Sequence, residues 1–197
     1  KLKEKKKKSF ICSLSSKTIV YKGLLAANQL KQFYPELSHP DYKCKVSVFH
    51  ERFSTNTVST WKMTQPFRML AHNGEINTIR GNRLWMKTRE KTIESKKWKK
   101  NLKNLLPILS NSGSDSYSLD NILEFLSRSG KGMLKSIMML IPEPYDNINS
   151  MPKELQDFYI YNENFIEPWD GPAALVFTDG EKVVAKLDRN GLRPLRY

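Results

Sequence analysis

Apolar and polar residues follow strand-like patterns in three early segments of the chain. Apolar and polar side chains alternate over residues 46–50, and residues 67–72 form a short, mainly apolar run, so both segments predict strands. Between residues 11 and 21, apolar and β-branched residues flank a Ser-rich middle, which predicts two further short strands joined by a turn. The glycine at position 74 is expected to end the strand predicted over residues 67–72.

Helical spacing dominates the middle of the chain. In residues 76–90, Arg83 falls on the same stripe as the apolar residues Ile76, Ile79 and Met86. Ser118 is expected to be the N-cap of the third predicted helix and Gly130 to end it. The segments with helix-compatible spacing are residues 28–33, 76–90, 118–126, 134–141 and 152–165.

The strongest strand signal comes near the end of the chain. Two apolar segments, residues 173–178 and 182–187, flank Asp179-Gly180, which is a typical β-hairpin turn. Because helices lie between the early and the late strands, the pattern predicts an α+β fold and not a βαβ repeat.

Charge and cysteine content limit the class of protein. The 197-residue chain has a net charge of +13, but residues 1–8 carry +5 of it and residues 87–103 carry +6. Charge concentrated in two runs predicts a basic disordered tail over residues 1–8 and a solvated Lys-rich surface, not a nucleic-acid site. Cys12 and Cys44 provide neither a disulfide framework nor a metal-binding spacing, and no apolar run is long enough to predict a membrane span.

The first candidate for chemistry is the segment His72-Asn73-Gly74-Glu75, at the end of a predicted strand. A glycine can bring its backbone N–H close to a ligand because it has no Cβ, and the neighbouring Asn73 amide can donate a second hydrogen bond. Two convergent neutral donors are what a tetrahedral oxyanion requires. Asn-Gly is also a common turn dipeptide, so the pair taken alone indicates a turn.

Two charged residues are candidates for binding an amino-acid substrate. Arg52 precedes several Ser and Thr residues, and its planar guanidinium suits a carboxylate, although taken alone it indicates a surface arginine beside a turn. Asp115 could bind a substrate ammonium or could form an Asx-turn or helix cap. Sites for a carboxylate, an ammonium and an amide oxyanion together describe a free amino acid with a side-chain amide, that is glutamine or asparagine.

Several segments, in this order, resemble the large chain of glutamate synthases. The resemblance extends from about Phe10 to Tyr197. The first domain of that family is a class II glutamine amidotransferase, which implies the N-terminal-nucleophile αββα sandwich. The segments that carry the resemblance are residues 50–57 (HERFSTNT), 65–68 (QPFR), 70–82 (LAHNGEINTIRGN), 113–116 (GSDS), 120–121 (DN), 167–173 (EPWDGPA) and 187–194 (LDRNGLRP).

The resemblance implies a role for each candidate residue. Arg52 would bind the α-carboxylate of glutamine and Asp115 its α-ammonium. Asn73 and the N–H of Gly74 would form the oxyanion hole. The residues expected to line the glutamine pocket are Thr55 and Asn56.

The family also implies a reaction for the whole protein. Residues 9–197 are expected to form a partial type 2 glutamine amidotransferase domain, which releases ammonia from glutamine for transfer to 2-oxoglutarate, giving glutamate. The resemblance implies flavin mononucleotide and an iron–sulfur cluster for the full-length protein and no cofactor for these residues. It further implies a cytoplasmic or plastid location, without a membrane or nucleic-acid partner.

The chain departs from the family at the nucleophile. The family uses a cysteine at the mature N-terminus, whereas this chain starts at Lys1, and Cys12 lies in an apolar segment typical of a buried side chain. We therefore expect the first strands of the sandwich to be missing, so the fragment would be inactive alone and would partner with those strands and with the synthase domain. The alternatives are a catalytically inactive amidotransferase-like interaction domain and, less favoured, a basic nucleic-acid-binding module.

Overall fold

The computed structural model describes residues 10–52, 58–110, 112–145 and 150–197. The predicted tail over residues 1–8 and the predicted pocket residues Thr55 and Asn56 lie outside these ranges.

Three strands form one antiparallel sheet in the order β1-β2-β3. The predicted hairpin is confirmed, since β2 and β3 pair directly with Val176 opposite Ala185. Strand β1 pairs with the other edge of β2 and places Gly74 opposite Ala173. The strands are β1 (Leu70–Gly74), β2 (Ala173–Thr178) and β3 (Val183–Leu187).

Helices make up most of the remaining regular structure and occur where the apolar spacing predicts them, with shifts at their ends. The helices are α1 (Leu30–Phe33), α2 (Ile79–Arg89), α3 (Asp115–Leu126), α4 (Met133–Leu140) and α5 (Lys153–Glu163). None of these described helices is both long and apolar enough to cross a membrane.

Helix α3 begins earlier than its sequence predicts. Its N-cap is Ser114, whose side-chain oxygen accepts a hydrogen bond from the N–H of Tyr117 at 3.1 Å. The predicted N-cap, Ser118, was wrong because the same capping chemistry is available one turn earlier, and Ser118 lies fully buried inside the helix. Gly130 is confirmed as the stop, with a φ of +105° in the turn that follows the helix.

Two predicted strand regions are not strands. Residues 11–21 and 46–50 are irregular, and Val46 and Phe49 are 54% and 80% exposed. A strand needs a neighbour to satisfy its backbone N–H and C=O groups, and neither segment joins the sheet within the described part of the chain. Alternation alone therefore predicted an element that has no pairing partner here.

The hydrophobic core lies between one face of the sheet and helices α3 and α4. Leu70 of β1 and Leu175 and Phe177 of β2 are almost fully buried on this face. They pack with Leu119, Ile122 and Leu123 of α3 and with Ile137 and Leu140 of α4. Burial of each such side chain contributes about 1.5–3 kcal/mol to folding.

The other face of the sheet is apolar but only partly covered. Strand pairing places Val176, Ala185 and Ala174 on this face, together with Leu187. All four are half-buried or exposed. The sheet thus has one face against helices and one apolar face that the described residues cover only in part.

Asp188 stabilises the open end of the β2–β3 hairpin, next to Ala173. Its carboxylate accepts hydrogen bonds from the N–H groups of Ala173 at 3.0 Å, Asn190 at 3.1 Å and Leu192 at 3.1 Å. Burial alone would raise the pKa of Asp188, but these backbone donors hold the pKa below its usual range. The ionised form is therefore the one that stabilises the fold.

We expect Asp188→Asn to lower the free energy of unfolding at pH 7 by about 1.5–3 kcal/mol, because charge-assisted hydrogen bonds are lost. A depressed pKa stabilises the fold above the unfolded-state pKa, and this contribution disappears as the pH falls through the folded-state pKa. The difference from the parent protein should thus shrink below about pH 4. Urea denaturation across this pH range measures it.

Asp157→Asn is the matched control, since Asp157 lies exposed on α5 in an ion pair with Lys153. It should change the free energy of unfolding by less than about 1 kcal/mol. A loss for Asp188→Asn that is equally large at pH 3.5 and pH 7 would contradict the ionised role.

Candidate functional site

The hydrogen-bonding pattern of β1 leaves the N–H of Gly74 pointing away from the sheet. The carbonyl of Met69 accepts a hydrogen bond from Thr178, which makes these two residues a hydrogen-bonded pair. Hydrogen-bonded and non-hydrogen-bonded pairs alternate along an antiparallel ladder. The next hydrogen-bonded pair is therefore Ala71 with Val176, and the one after it is Asn73 with Ala174. Gly74 falls in a non-hydrogen-bonded pair, and its N–H therefore lies at the outer edge of β1.

His72 supports this assignment, because it has the same orientation as Gly74 in the ladder. The side-chain amide of Gln65 occupies the outer edge at His72. It accepts from the His72 N–H at 2.6 Å and donates to the His72 carbonyl at 2.8 Å. The Gln65 side chain thus occupies the hydrogen-bonding groups of the outer edge at His72, whereas Gly74 lies two residues further along the strand.

The turn after Asn73 requires glycine. Gly74 has a φ of +145°, and a Cβ there would lie 1.9 Å from the carbonyl oxygen of Pro172. Facing it, Gly171 has a φ of +148°, and a Cβ there would lie 2.1 Å from the carbonyl oxygen of Glu75. The two backbones therefore lie in direct contact, at a crossing of residues 74–75 with residues 171–172. There the Glu75 N–H donates to the Pro172 carbonyl at 3.0 Å.

Further hydrogen bonds fix the same crossing on the side of α2. The N–H of Asp170 donates to the Thr78 hydroxyl at 2.9 Å, and the N–H of Thr78 donates to the Asp170 carbonyl at 3.2 Å. Asn82 donates through its side chain to the Pro168 carbonyl at 2.9 Å. Residues 167–173 thus hold the 74–78 turn against the start of β2.

Helix α3 holds β1 at three successive points. Asp120 accepts from the N–H of Met69 at 2.9 Å, at the start of the strand. In the middle, His72 Nδ1 lies 2.6 Å from Ser116 Oγ. Just past the strand end, Asp115 Oδ2 accepts from the N–H of Ile76 at 2.7 Å, a contact formed by the second residue after Gly74.

Asp115 therefore contacts the turn that follows the oxyanion candidates Asn73 and Gly74. Its other oxygen, Oδ1, accepts from the N–H of Ser116 at 2.6 Å and from the Ser116 hydroxyl at 3.2 Å. An ionised carboxylate offers about four acceptor sites, so capacity remains for a further donor. Asp115 is half-buried and does not cap the helix, because Ser114 does.

The interior next to the site favours a neutral His72. His72 is 2% exposed, and its Nε2 has no hydrogen-bond partner among the described residues. Burial lowers the pKa of His72, Asp115 opposes this effect, and His50 and Arg193 reinforce it. The ring is thus held uncharged beside Asn73.

Burial has the opposite effect on the carboxyl of Asp120. It raises the pKa of Asp120 to about 7, although the backbone donors of Met69 and Arg68 act against the rise. The start of β1 is therefore anchored by a group that titrates near neutral pH.

Arg52 is not joined to the other two candidates. It is exposed, and its backbone N–H donates to His50 Nδ1 at 3.3 Å. No contact among the described residues links its guanidinium to Asp115 or Asn73. The influence of His50 on the pKa of His72 nevertheless places this segment near the site, and the carboxylate-binding role of Arg52 stays a prediction.

Among the described residues, no hydrogen bond links either cysteine to the end of β1. Cys12 is half-buried and close enough to Lys22 to influence its pKa, and Cys44 is exposed. No cluster of His, Cys, Asp or Glu side chains among the described residues could hold a metal ion.

Sequence reasoning missed the contribution of Arg83. Its guanidinium donates to the carbonyls of Gly113 and Ser114 and to the Ser118 hydroxyl. The available signal was a charged residue on the apolar stripe of α2, because a half-buried guanidinium needs acceptors.

Gly74→Ala should lower the free energy of unfolding by at least about 2 kcal/mol, because the new Cβ meets a backbone carbonyl at a φ that L-residues rarely adopt. Gly81→Ala provides the matched control, since a Cβ there meets nothing within 4 Å. Gly81 lies inside α2, so this change should stabilise the protein by about 0.5–1 kcal/mol. Denaturation curves that shift both variants in the same direction would contradict the crossing.

Comparison with known proteins identifies the family of this chain. Residues 1–197 match the family of class II glutamine amidotransferases. The chain is 50% identical over 191 residues to a ferredoxin-dependent glutamate synthase 2 of Synechocystis sp. and 50% identical over 188 residues to the glutamate synthase [NADPH] large chain of Bacillus subtilis. It is 48% identical over 189 residues to the glutamate synthase [NADH] of Saccharomyces cerevisiae.

These alignments cover 95% of this chain but only a small part of each relative. The chain spans 12% of the length of the Synechocystis and Bacillus proteins and 9% of the yeast protein. The family match extends over the whole chain and confirms the resemblance that the motifs carry. The chain belongs to the class II glutamine amidotransferase family.

Proposed function

We propose that this chain supplies the glutamine-binding and oxyanion-stabilising part of the glutaminase site of a glutamate synthase. The observation that carries the proposal is the hydrogen bond from Ile76 to Asp115, because it fixes the carboxylate proposed to bind the ammonium at the second residue after Gly74. A free amino acid with a side-chain amide has an α-ammonium that suits the carboxylate of Asp115 and an amide carbonyl oxygen that suits the N–H of Gly74.

In this proposal the side-chain amide of glutamine lies at the outer edge of β1. A cysteine thiolate from outside the described residues attacks the amide carbon, and the carbonyl oxygen becomes an oxyanion. The Gly74 N–H and the Asn73 side-chain amide donate hydrogen bonds to it, and a donor of this kind contributes about 10²–10³-fold to the rate. Collapse of the intermediate breaks the C–N bond, the proton given up by the thiol is transferred to the leaving nitrogen so that ammonia departs, and water then hydrolyses the thioester to glutamate and the free thiol.

Charge complementarity determines how the substrate is held. Asp115 accepts from the α-ammonium while it keeps its bond to Ile76, and Arg52 pairs with the α-carboxylate. Thr55 and Asn56 line the pocket. A neutral His72 beneath Asn73 avoids placing a second cation near the ammonium.

The remaining steps of the synthase reaction belong to other parts of the protein in this proposal. Ammonia is transferred to 2-oxoglutarate in the synthase domain, where flavin mononucleotide and the iron–sulfur cluster would be held. The finer fold is the αββα sandwich. Its support is the partly uncovered apolar face formed by Val176, Ala185 and Leu187, on which a second sheet would pack.

Asp115→Asn should lower kcat/KM for glutamine by about 10- to 100-fold, mainly through KM, because one charge-assisted hydrogen bond to the ammonium is lost. The Asn oxygen can still accept from Ile76, but the amide nitrogen that replaces Oδ1 cannot accept from Ser116, so the free energy of unfolding should fall by about 1–3 kcal/mol. Ammonia release by the full-length gene product measures the effect. Asp157→Asn serves as the control, and equal kcat/KM values for the two variants would contradict the assignment of Asp115.

Residues 1–197 alone should release no ammonia from glutamine, since no hydrogen bond within the described ranges links Cys12 or Cys44 to the end of β1. The measurement is ammonia formation against a no-protein control. Release that disappears on replacing Cys12 with Ser would overturn this expectation. A full-length product that binds glutamine without releasing ammonia would favour the inactive interaction domain instead.

A further inference from the structure

Arg83 occupies an unusual position for a charged residue. It lies half-buried on α2 and binds the segment that precedes α3. Its Nη2 donates to the carbonyl of Gly113 at 2.9 Å, to the carbonyl of Ser114 at 3.2 Å and to the hydroxyl of Ser118 at 2.8 Å. Its Nε donates to the same hydroxyl at 3.1 Å.

Helix electrostatics do not explain this placement. The N-terminal end of a helix carries partial positive charge and favours anions, so a guanidinium at the start of α3 is unfavourable there. Arg83 nevertheless binds two carbonyls at this end, and Ser118 is completely buried beneath it. What these contacts do provide is a fixed path for residues 113–114.

That path determines where Asp115 lies, because Asp115 is the next residue. Gly113 has a φ of +107°, and a Cβ there would lie 2.9 Å from Met63 Cε, so the loop is also confined by the Met63 side chain. A loop held this closely has little freedom to move the carboxylate that follows it.

The start of α2, the helix that carries Arg83, is bonded at the 74–78 turn, here named the oxyanion turn because it begins with the proposed donor Gly74. Helix α2 begins directly after Thr78, which is bonded to Asp170 in the crossing that holds Gly74. Arg83 lies one turn further along α2. A single rigid element therefore links the oxyanion donors to the loop that presents Asp115.

We infer that Arg83 is a positioning residue that sets the distance between Asp115 and the oxyanion turn, and thereby selects substrates with an α-ammonium. The inference rests on the proposed glutaminase function. Arg83 itself does not touch the substrate. It acts by holding the Gly113–Ser114 carbonyls, so its loss should affect recognition of the ammonium more than amide hydrolysis itself.

The test compares L-glutamine with glutaramate, which has the same carboxylate and amide but no α-amino group. Ammonia release by the full-length gene product is measured for both compounds. We expect Arg83→Gln to lower kcat/KM for glutamine about tenfold, chiefly through KM, because the Asp115 carboxylate is misplaced. The value for glutaramate should stay nearly constant, so the ratio of the two kcat/KM values should fall about tenfold. Arg83→Lys should restore part of the ratio.

Arg89→Gln is the matched control, because Arg89 lies on the same helix and pairs with Glu167, away from the 113–118 segment. It should leave the ratio unchanged even if stability falls. If Arg83→Gln lowers both kcat/KM values equally, Arg83 is only structural and the inference is wrong.

Asp115→Asn separates failure of the inference from failure of the proposed function. If Asp115→Asn reduces the ratio and Arg83→Gln does not, the inference fails and the function stands. If neither reduces it, Asp115 is not the ammonium site. Should Arg83→Gln not fold, Arg83→Lys decides, since an ammonium keeps the charge on α2 but cannot reproduce the planar guanidinium geometry that binds the two carbonyls. A lowered ratio then supports the inference, and an unchanged one overturns it.

Discussion

The attachment of one strand to one helix determines the rest of this structure. Side chains of α3 bind β1 at its start, at its middle and just past its end, through Asp120, Ser116 and Asp115. Each bond satisfies a polar group that would cost about 1–3 kcal/mol if it were buried without a partner. Because Asp115 is both the last of these attachments and the candidate ammonium ligand, the contact that orders the strand end also places the substrate-binding charge.

A second constraint comes from two glycines that lie far apart in sequence. Gly74 and Gly171 allow two backbones to cross without side chains between them, and the Thr78–Asp170 hydrogen bonds hold that crossing. This explains in physical terms why the EPWDGPA segment accompanies the HNGE segment. The first packs against the turn that the second forms, and together they fix the outward direction of the Gly74 N–H.

Local patterns predicted the helices and the hairpin because their spacing and turn chemistry are contained within a few residues. The strand predicted over residues 46–50 failed because pairing depends on a partner that alternation does not reveal. The N-cap at Ser118 failed because Ser114 offers the same chemistry one turn earlier. For the site, the motifs indicated Asp115 and the Asn-Gly turn, but no local pattern shows that Arg83 reaches a loop thirty residues away.

The central claim is that the end of β1 and the start of α3 together bind glutamine. The most direct test is a crystal structure of the full-length gene product after reaction with 6-diazo-5-oxo-L-norleucine, a glutamine analogue that alkylates a nucleophilic thiol. The account predicts its ammonium within about 3 Å of Asp115 and its carbonyl oxygen within about 3 Å of the Gly74 N–H and the Asn73 amide. An analogue bound with its ammonium away from Asp115, or with its carbonyl oxygen away from Gly74, would contradict it.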